Sequence, residues 1–228
     1  PLVQLGEERE KPCLVVKELQ LCTKTRLPSL TQHTMIVVWL GDSVNEYRAK
    51  YLQILDRVTL RCPICSSDCR SHGWYSRKVR LEEEATRIPV LRVRCRGCKK
   101  THVVLPDFLA PHKQYTQQIR EAALQACLEE NVPVEQATQG SRAVVTTRRW
   151  LREFKARFNE LAGALISVRV RISPWSETRT YRRQSKAIST LYALSKQVCS
   201  LLGGQIGHSS VLGLVNQIVT IGGLKVWF

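Results

Sequence analysis

Acidic side chains are scarce in this 228-residue chain, with 19 Asp+Glu against 35 Lys+Arg and a formal net charge of +16. After Glu160 only Glu177 is acidic. Two-metal phosphoryl transfer needs several carboxylates around its ions, so no nuclease of that kind is expected in the last 68 residues. Aromatic residues make up 7% and are scattered (Trp74, Tyr75, Trp175), which argues against a stacking platform for single-stranded RNA. No signal peptide opens the sequence and the nine cysteines are odd in number, so a secreted disulfide scaffold is disfavoured and reduced thiols are expected. A membrane helix is disfavoured too. Residues 197–224 are uncharged, but Gln197, Gln205, His208, Asn216 and Gln217 interrupt them, and Gly203-Gly204 and Gly222-Gly223 break them. Methionine occurs once, at Met35, so residues 1–34 read as a non-native or disordered extension, and Cys13 and Cys22 carry no functional weight.

What is present is a core-forming composition, 43% hydrophobic, with unevenly placed charge. Residues 1–56 are neutral, 57–112 carry +7, 113–160 carry +2 and 161–228 carry +7. A positive field built from a middle segment and a tail suits a polyanion, although a solvated basic face would look the same.

The strongest motif is Cys62-Pro63-Ile64-Cys65 followed by Cys95-Arg96-Gly97-Cys98. Each C-x-x-C can present two thiolates from one tight turn, Pro63 stiffening the first and Gly97 lending φ freedom to the second. Four thiolates complete a tetrahedral Zn²⁺ with no open position, so the metal is expected to be structural. Cys69, His72 and His102 read as bystanders, and Cys127 and Cys199 as core residues. A redox dithiol would need one such motif at a helix start in a βαβ setting, which is not the pattern here. Between the two motifs, residues 72–79 predict a strand, Glu82-Glu83-Glu84 a loop, and Val90–Cys95 a return strand with Leu91, Val93 and Cys95 on one face and Val90, Arg92 and Arg94 on the other. Thr101–Leu105 predicts another strand, which with the rest makes a zinc ribbon. Upstream, Ile36–Leu40 reads as a strand or apolar segment and 44–56 as an amphipathic helix.

Downstream the pattern turns helical. Tyr115–Glu130 predicts a helix with Ile119, Ala123, Ala126 and Cys127 inward, and Val134–Gln139 a short second helix after Pro133. A third helix capped by Ser141 would bury Leu151, Phe154, Phe158, Leu161 and Leu165. Its other face carries Arg148, Arg152 and Lys155, with Thr146, Thr147 and Arg149 near the front. That order suits a helix-turn-helix whose third helix enters the major groove, or else a plain three-helix module with a basic surface. Residues 167–184, broken by Pro174, hold Arg169, Arg171, Arg179, Arg182 and Arg183 and read as a basic arm or linker.

The run CPICSSDCRSHGWYSRKV … IPVLRVRCRGCKKTHVVLPDFLAPHKQY resembles the amino-terminal zinc ribbons of bacterial insertion-sequence transposases, and most closely a transposase-associated zinc-ribbon family of unassigned function. The resemblance rests on the two cysteine motifs, the HGWYSR strand, the basic run into the second motif and the T-H-x-x-L-P segment at Thr101–Pro106. Arg149-Trp150 is similar to the helix-turn-helix such proteins place next. Residues 58–160 are covered; the five-residue step from Ser141 to Thr146 departs from the shorter spacing of the pattern.

The expectation is therefore an α+β chain: strand and helix at 35–56, zinc ribbon at 57–112, helix-turn-helix at 113–166, arm at 167–184 and an apolar helical tail at 185–228. It is expected to bind double-stranded DNA in the bacterial cytoplasm, at the nucleoid, as a relative of a transposase's DNA-recognition half. Zn²⁺ on Cys62, Cys65, Cys95 and Cys98 is its one expected cofactor. Arg148, Arg149, Arg152, Lys155, Thr146 and Thr147 are the expected helix contacts; Arg77, Lys78, Arg92, Arg94, Lys99 and Lys100 are expected on phosphate. No catalytic residue is expected, and the partner besides DNA is a second copy or a separate transposition protein. Two alternatives stand beside this reading: the fragment of a complete DDE-type transposase, and a zinc-ribbon adaptor for another protein.

Overall fold

The computed structural model describes residues 35–57, 60–82, 84–138, 142–174, 186–203, 206–222 and 224. Within them the fold is α+β, with a four-stranded mixed sheet and five helices. The strands are β1 (Met35–Val38), β2 (Cys69–Arg80), β3 (Ala85–Cys95) and β4 (Thr101–Pro106), in spatial order β1-β4-β3-β2. β2 and β3 form the expected hairpin, in register from Cys69↔Cys95 to Arg80↔Ala85, with a bulge at His72 where Gly73 takes a φ of 127°. β4 runs antiparallel to β3, and β1 pairs with β4 in parallel. The expected alternation holds from Leu91 to Cys95, where Leu91, Val93 and Cys95 are buried and Arg92 is exposed, but not at Val90, which was expected beside Arg92 and Arg94 and is fully buried.

Helix α1 (Val44–Arg57) opens with Ser43 Oγ accepting the Glu46 amide at 3.1 Å, while Glu46 returns a carboxylate oxygen to the Asp42 amide at 2.9 Å. It covers the sheet with Tyr47, which is fully buried, meets Phe108 edge-on and donates its hydroxyl to the Pro89 carbonyl at 2.6 Å. Around it Ile88, Val90, Val104 and Leu105 complete a sheet core.

The second core is helical. It gathers α2 (Gln117–Leu128), α3 (Val144–Ile172), α4 (Ala187–Leu201) and α5 (Val211–Ile221) around Leu124, Trp150, Phe154, Leu165, Leu191 and Ile218. Truncating either buried aromatic, Trp150 or Phe154, to alanine should cost about 3–5 kcal/mol. Four expectations are corrected. Residues 133–138 form a single turn closed by the Gln136 and Ala137 amides on the Pro133 carbonyl, where a second helix was expected. The α2 face that packs is Ile119, Arg120, Ala123 and Leu124, with Ala126 and Cys127 only half-buried. Helix α3 runs on through Arg169 and Arg171, so the expected arm does not begin at 167; residues 175–185, with Arg179, Arg182 and Arg183, lie outside the described residues. The last two helices are core elements, α5 being buried from Leu212 to Thr220. No helix among the described residues is long and apolar enough to cross a membrane.

The two cores are joined by polar contacts. Asp107, just after β4, is fully buried and accepts the Ser209 amide and hydroxyl at 2.6 and 2.8 Å. Gln217 of α5 accepts the Trp39 amide at 3.1 Å and donates to the Gly207 carbonyl.

Candidate metal centre and basic surface

The two cysteine turns are built alike. Cys62 donates its amide to the Ser67 carbonyl and Cys95 to the Lys100 carbonyl, both at 2.9 Å. The residue after each second cysteine takes the left-handed conformation, Ser66 at φ 58° and Lys99 at φ 62°. Gly97 is therefore not the left-handed residue of its turn. Its reason is space: a Cβ there would lie 2.5 Å from Ser67 Oγ and 3.3 Å from Cys65 Sγ, so only glycine lets the two turns close on each other.

This closure brings Cys62, Cys65, Cys95 and Cys98 together, all four Sγ atoms lying within 4.8 Å of one another. Cys62 and Cys98 are 3.6 Å apart and Cys65 and Cys95 3.3 Å. A tetrahedral ion with bonds of about 2.3 Å to sulfur sets its ligands about 3.8 Å apart, so the donor set fits one metal ion. Electrostatics point the same way. Burial pushes the Cys62 thiol up. At Cys65 burial also acts upward, but hydrogen bonds from the Ser67 hydroxyl and amide outweigh it, and the thiol comes down to about 6. Four thiolates this close cannot all be charged without a cation among them.

Two of the residues read as bystanders lie beside the cluster. His102, on β4, is fully buried with Nε2 3.3 Å from Cys62 Sγ. Cys69 pairs across the hairpin with Cys95. Burial, then the nearby Cys95 and Cys65, push its thiol up to about 12. His72 is exposed on the bulge.

The expected DNA contacts divide. Arg148, Arg149, Arg152 and Lys155 are exposed along the first turns of α3, and Arg148 pairs with Glu135 at 2.6 Å. Thr146 is half-buried at the helix start, where Ala143 is the capping residue and supplies no side-chain bond; Ser141 lies outside the described residues. Thr147 is a correction: it is fully buried, and Thr138 donates to its hydroxyl at 3.0 Å, so it does not face a ligand. Arg77 is another, because its Nη2 donates to the Ala110 and Lys113 carbonyls, both at 2.6 Å. That clamp ties the hairpin to the segment leading into α2. Lys78 and Arg92 are exposed and Lys100 is half-buried. Arg94 Nε donates to the Lys99 carbonyl and Lys99 Nζ to the Arg96 carbonyl, which brace the second cysteine turn while leaving Lys99 exposed.

Sequence reasoning passed over Arg120 and Arg142. Both are buried and stack on Trp150, their guanidinium carbons 5.7 and 5.1 Å from its ring centre. Only the oddity of arginines near an apolar helical face could have flagged them.

Residues 62–150 match the family described as a domain of unknown function, DUF6431. No curated protein and no solved structure matches the chain. The matched stretch opens at the first cysteine of the cluster and closes at Trp150, so its similarity to that family spans both the metal-ligand set and the arginine-stacked tryptophan.

Proposed function

We propose that this protein is a DNA-binding module in which Zn²⁺, held by the four cysteines as a closed structural site, rigidifies a basic ribbon next to a basic helix. On this reading it is related to the DNA-recognition half of an insertion-sequence transposase and carries no catalytic centre of its own. One observation carries the reading. Along the hairpin and its cysteine turns Arg61, Arg70, Lys78, Arg92, Arg96 and Lys99 are exposed, and in 60–81 and 85–106 Asp68 is the only acidic residue. Such a surface attracts phosphate without reading sequence. The exposed Arg149, Arg152 and Lys155 of α3 add donors that can reach base edges or backbone. The single turn at 133–138 leaves two helices about that turn, so groove entry rests on α3 alone.

The test is binding of the zinc-loaded chain to duplex DNA over a salt series. Release of counterions from five to seven phosphates should give a slope of about −5 to −6 in log K against log salt. Replacing Arg149, Arg152 and Lys155 together by alanine should flatten it by about 3. A fully zinc-loaded protein with no duplex affinity at low salt overturns the reading. The exposed Ile64 (40%) and Trp74 (42%) would then favour the second reading, a zinc-ribbon adaptor for another protein.

A further inference from the structure

At the end of the hairpin away from the cysteines lies a cavity of about 420 Å³. It sits between the last residue of β2, the segment 112–115, α2 and the first turns of α3. Cavities that take small organic ligands run from about 300 to 1,000 Å³, so this one exceeds what a lone ion needs. Its described lining is cationic: Arg80, His112, Lys113, Arg120 and Arg149 line it and, among the described residues, no carboxylate does, although Glu82 acts on the neighbouring Arg142. Glu153 lies close by, paired with Lys113 at 2.7 Å, and offsets part of that charge. Arg120 is fully buried and is held by Gln117 at 2.8 Å. Burial lowers its guanidinium to about 10; the nearby Glu153 pulls it back up and Arg149 adds a smaller push downward.

The wall is not only cationic. Tyr115 and Trp150 line it, meeting edge to face with ring centres 5.2 Å apart, and the Arg80 guanidinium lies 5.8 Å over the Tyr115 ring. Thr146 adds a hydroxyl, and Ala143, which caps the start of α3, lines the same space. Crowded arginines call for an anion, and aromatic walls for a flat ring.

We infer that this cavity is a nucleotide site, binding one phosphate-bearing nucleotide unit with the phosphate between Arg80 and Arg149 and the base against Tyr115. It deepens the DNA-binding reading if the unit belongs to a strand, and stands apart from that reading if the nucleotide is free.

The experiment titrates the full zinc-loaded chain with dAMP, with deoxyadenosine and with inorganic phosphate, by calorimetry. dAMP should bind, and either half-ligand should bind at least about tenfold more weakly. Arg80→Gln and Arg149→Gln should each weaken dAMP about fivefold or more while the zinc content and melting temperature stay those of the parent. Displacement of dAMP by a 5′-phosphorylated single strand assigns the site to a nucleic-acid end; lack of displacement assigns it to a free nucleotide. No dAMP binding up to about 5 mM, or binding indifferent to both substitutions, overturns the inference. Steep salt-dependent duplex binding in the same samples would then leave the proposed function intact. dAMP binding without duplex binding would overturn the proposed function and leave the site.

Discussion

Cys69 stands beside a cluster of four cysteines that can hold a metal ion without it. The four cysteines are each held by a turn that pairs C-x-x-C with a left-handed residue, whereas Cys69 is a strand residue opposite Cys95. Cys69→Ser should therefore keep one zinc per chain, while Cys98→Ser should lose it, as read by metal analysis of the purified protein. The four-cysteine cluster was legible in the sequence because each C-x-x-C turn is local. The work of Arg77 and Asp107 was not, because their partners lie 33 and 102 residues away. Asp107 gives a pH prediction. Burial pushes its carboxyl up to about 7 from an ordinary 3.8, against the downward pull of the Ser209 amide and hydroxyl. The folded chain then binds more protons than the unfolded one between those values, so this group's contribution to stability falls as pH rises through that window. Thermal unfolding should show the parent losing stability over that window relative to Asp107→Asn, at up to about 1.4 kcal/mol per pH unit. Equal pH dependence in the two proteins would refute the assignment.

Helix α5 contains no charged residue, yet its amino end is capped from two other elements. Ser210 accepts the Gly213 amide at 2.9 Å, Glu121 of α2 accepts the Leu212 amide at 2.9 Å, and Asp107 holds Ser209 just before it. Gly213 is the point of closest approach, since a Cβ there would lie 2.8 Å from Asp107 Oδ2 and 2.9 Å from the Asp107 carbonyl. Alanine would gain about 1 kcal/mol of helix propensity, but the neighbour is partly backbone and cannot swing away. Gly213→Ala should therefore destabilise the chain by about 1–3 kcal/mol in denaturant unfolding. At this scale the sequence was uneven as a guide. The strands β2, β3 and β4 and the helices α1 and α2 were each expected close to where they fall. Pro174 and the run of arginines suggested an arm from 167, but Val168 is buried and Arg171 donates to the Gly222 carbonyl at 2.9 Å, so packing carries α3 to Ile172. Gln217, one of the amides that argued against a membrane helix, helps to seat α5 by bridging Trp39 and Gly207.

The described residues form two cores, one under the sheet and one among the helices, and the cysteine cluster belongs to an end of the first. Chelation should thus lower the melting temperature by at least about 10 °C, while far-ultraviolet dichroism keeps most of its helical signal until the helical core melts. The parallel pairing of β1 with β4 was beyond sequence reading, because β1 joins the sheet across the whole α1–β2–β3 segment. The hairpin itself is the feature with the widest consequence. Its twelve-residue strand β2 begins at Cys69 beside the cysteine cluster and ends at Arg80 in the cavity wall. At about 3.3 Å per residue those ends stand roughly 36 Å apart, close to the 34 Å pitch of the double helix. The strand would act as a calliper whose two jaws fall on the same side of a duplex about one turn apart. If the proposed duplex binding holds, hydroxyl-radical footprinting should show protection along one side of about ten base pairs, deepest at its two ends.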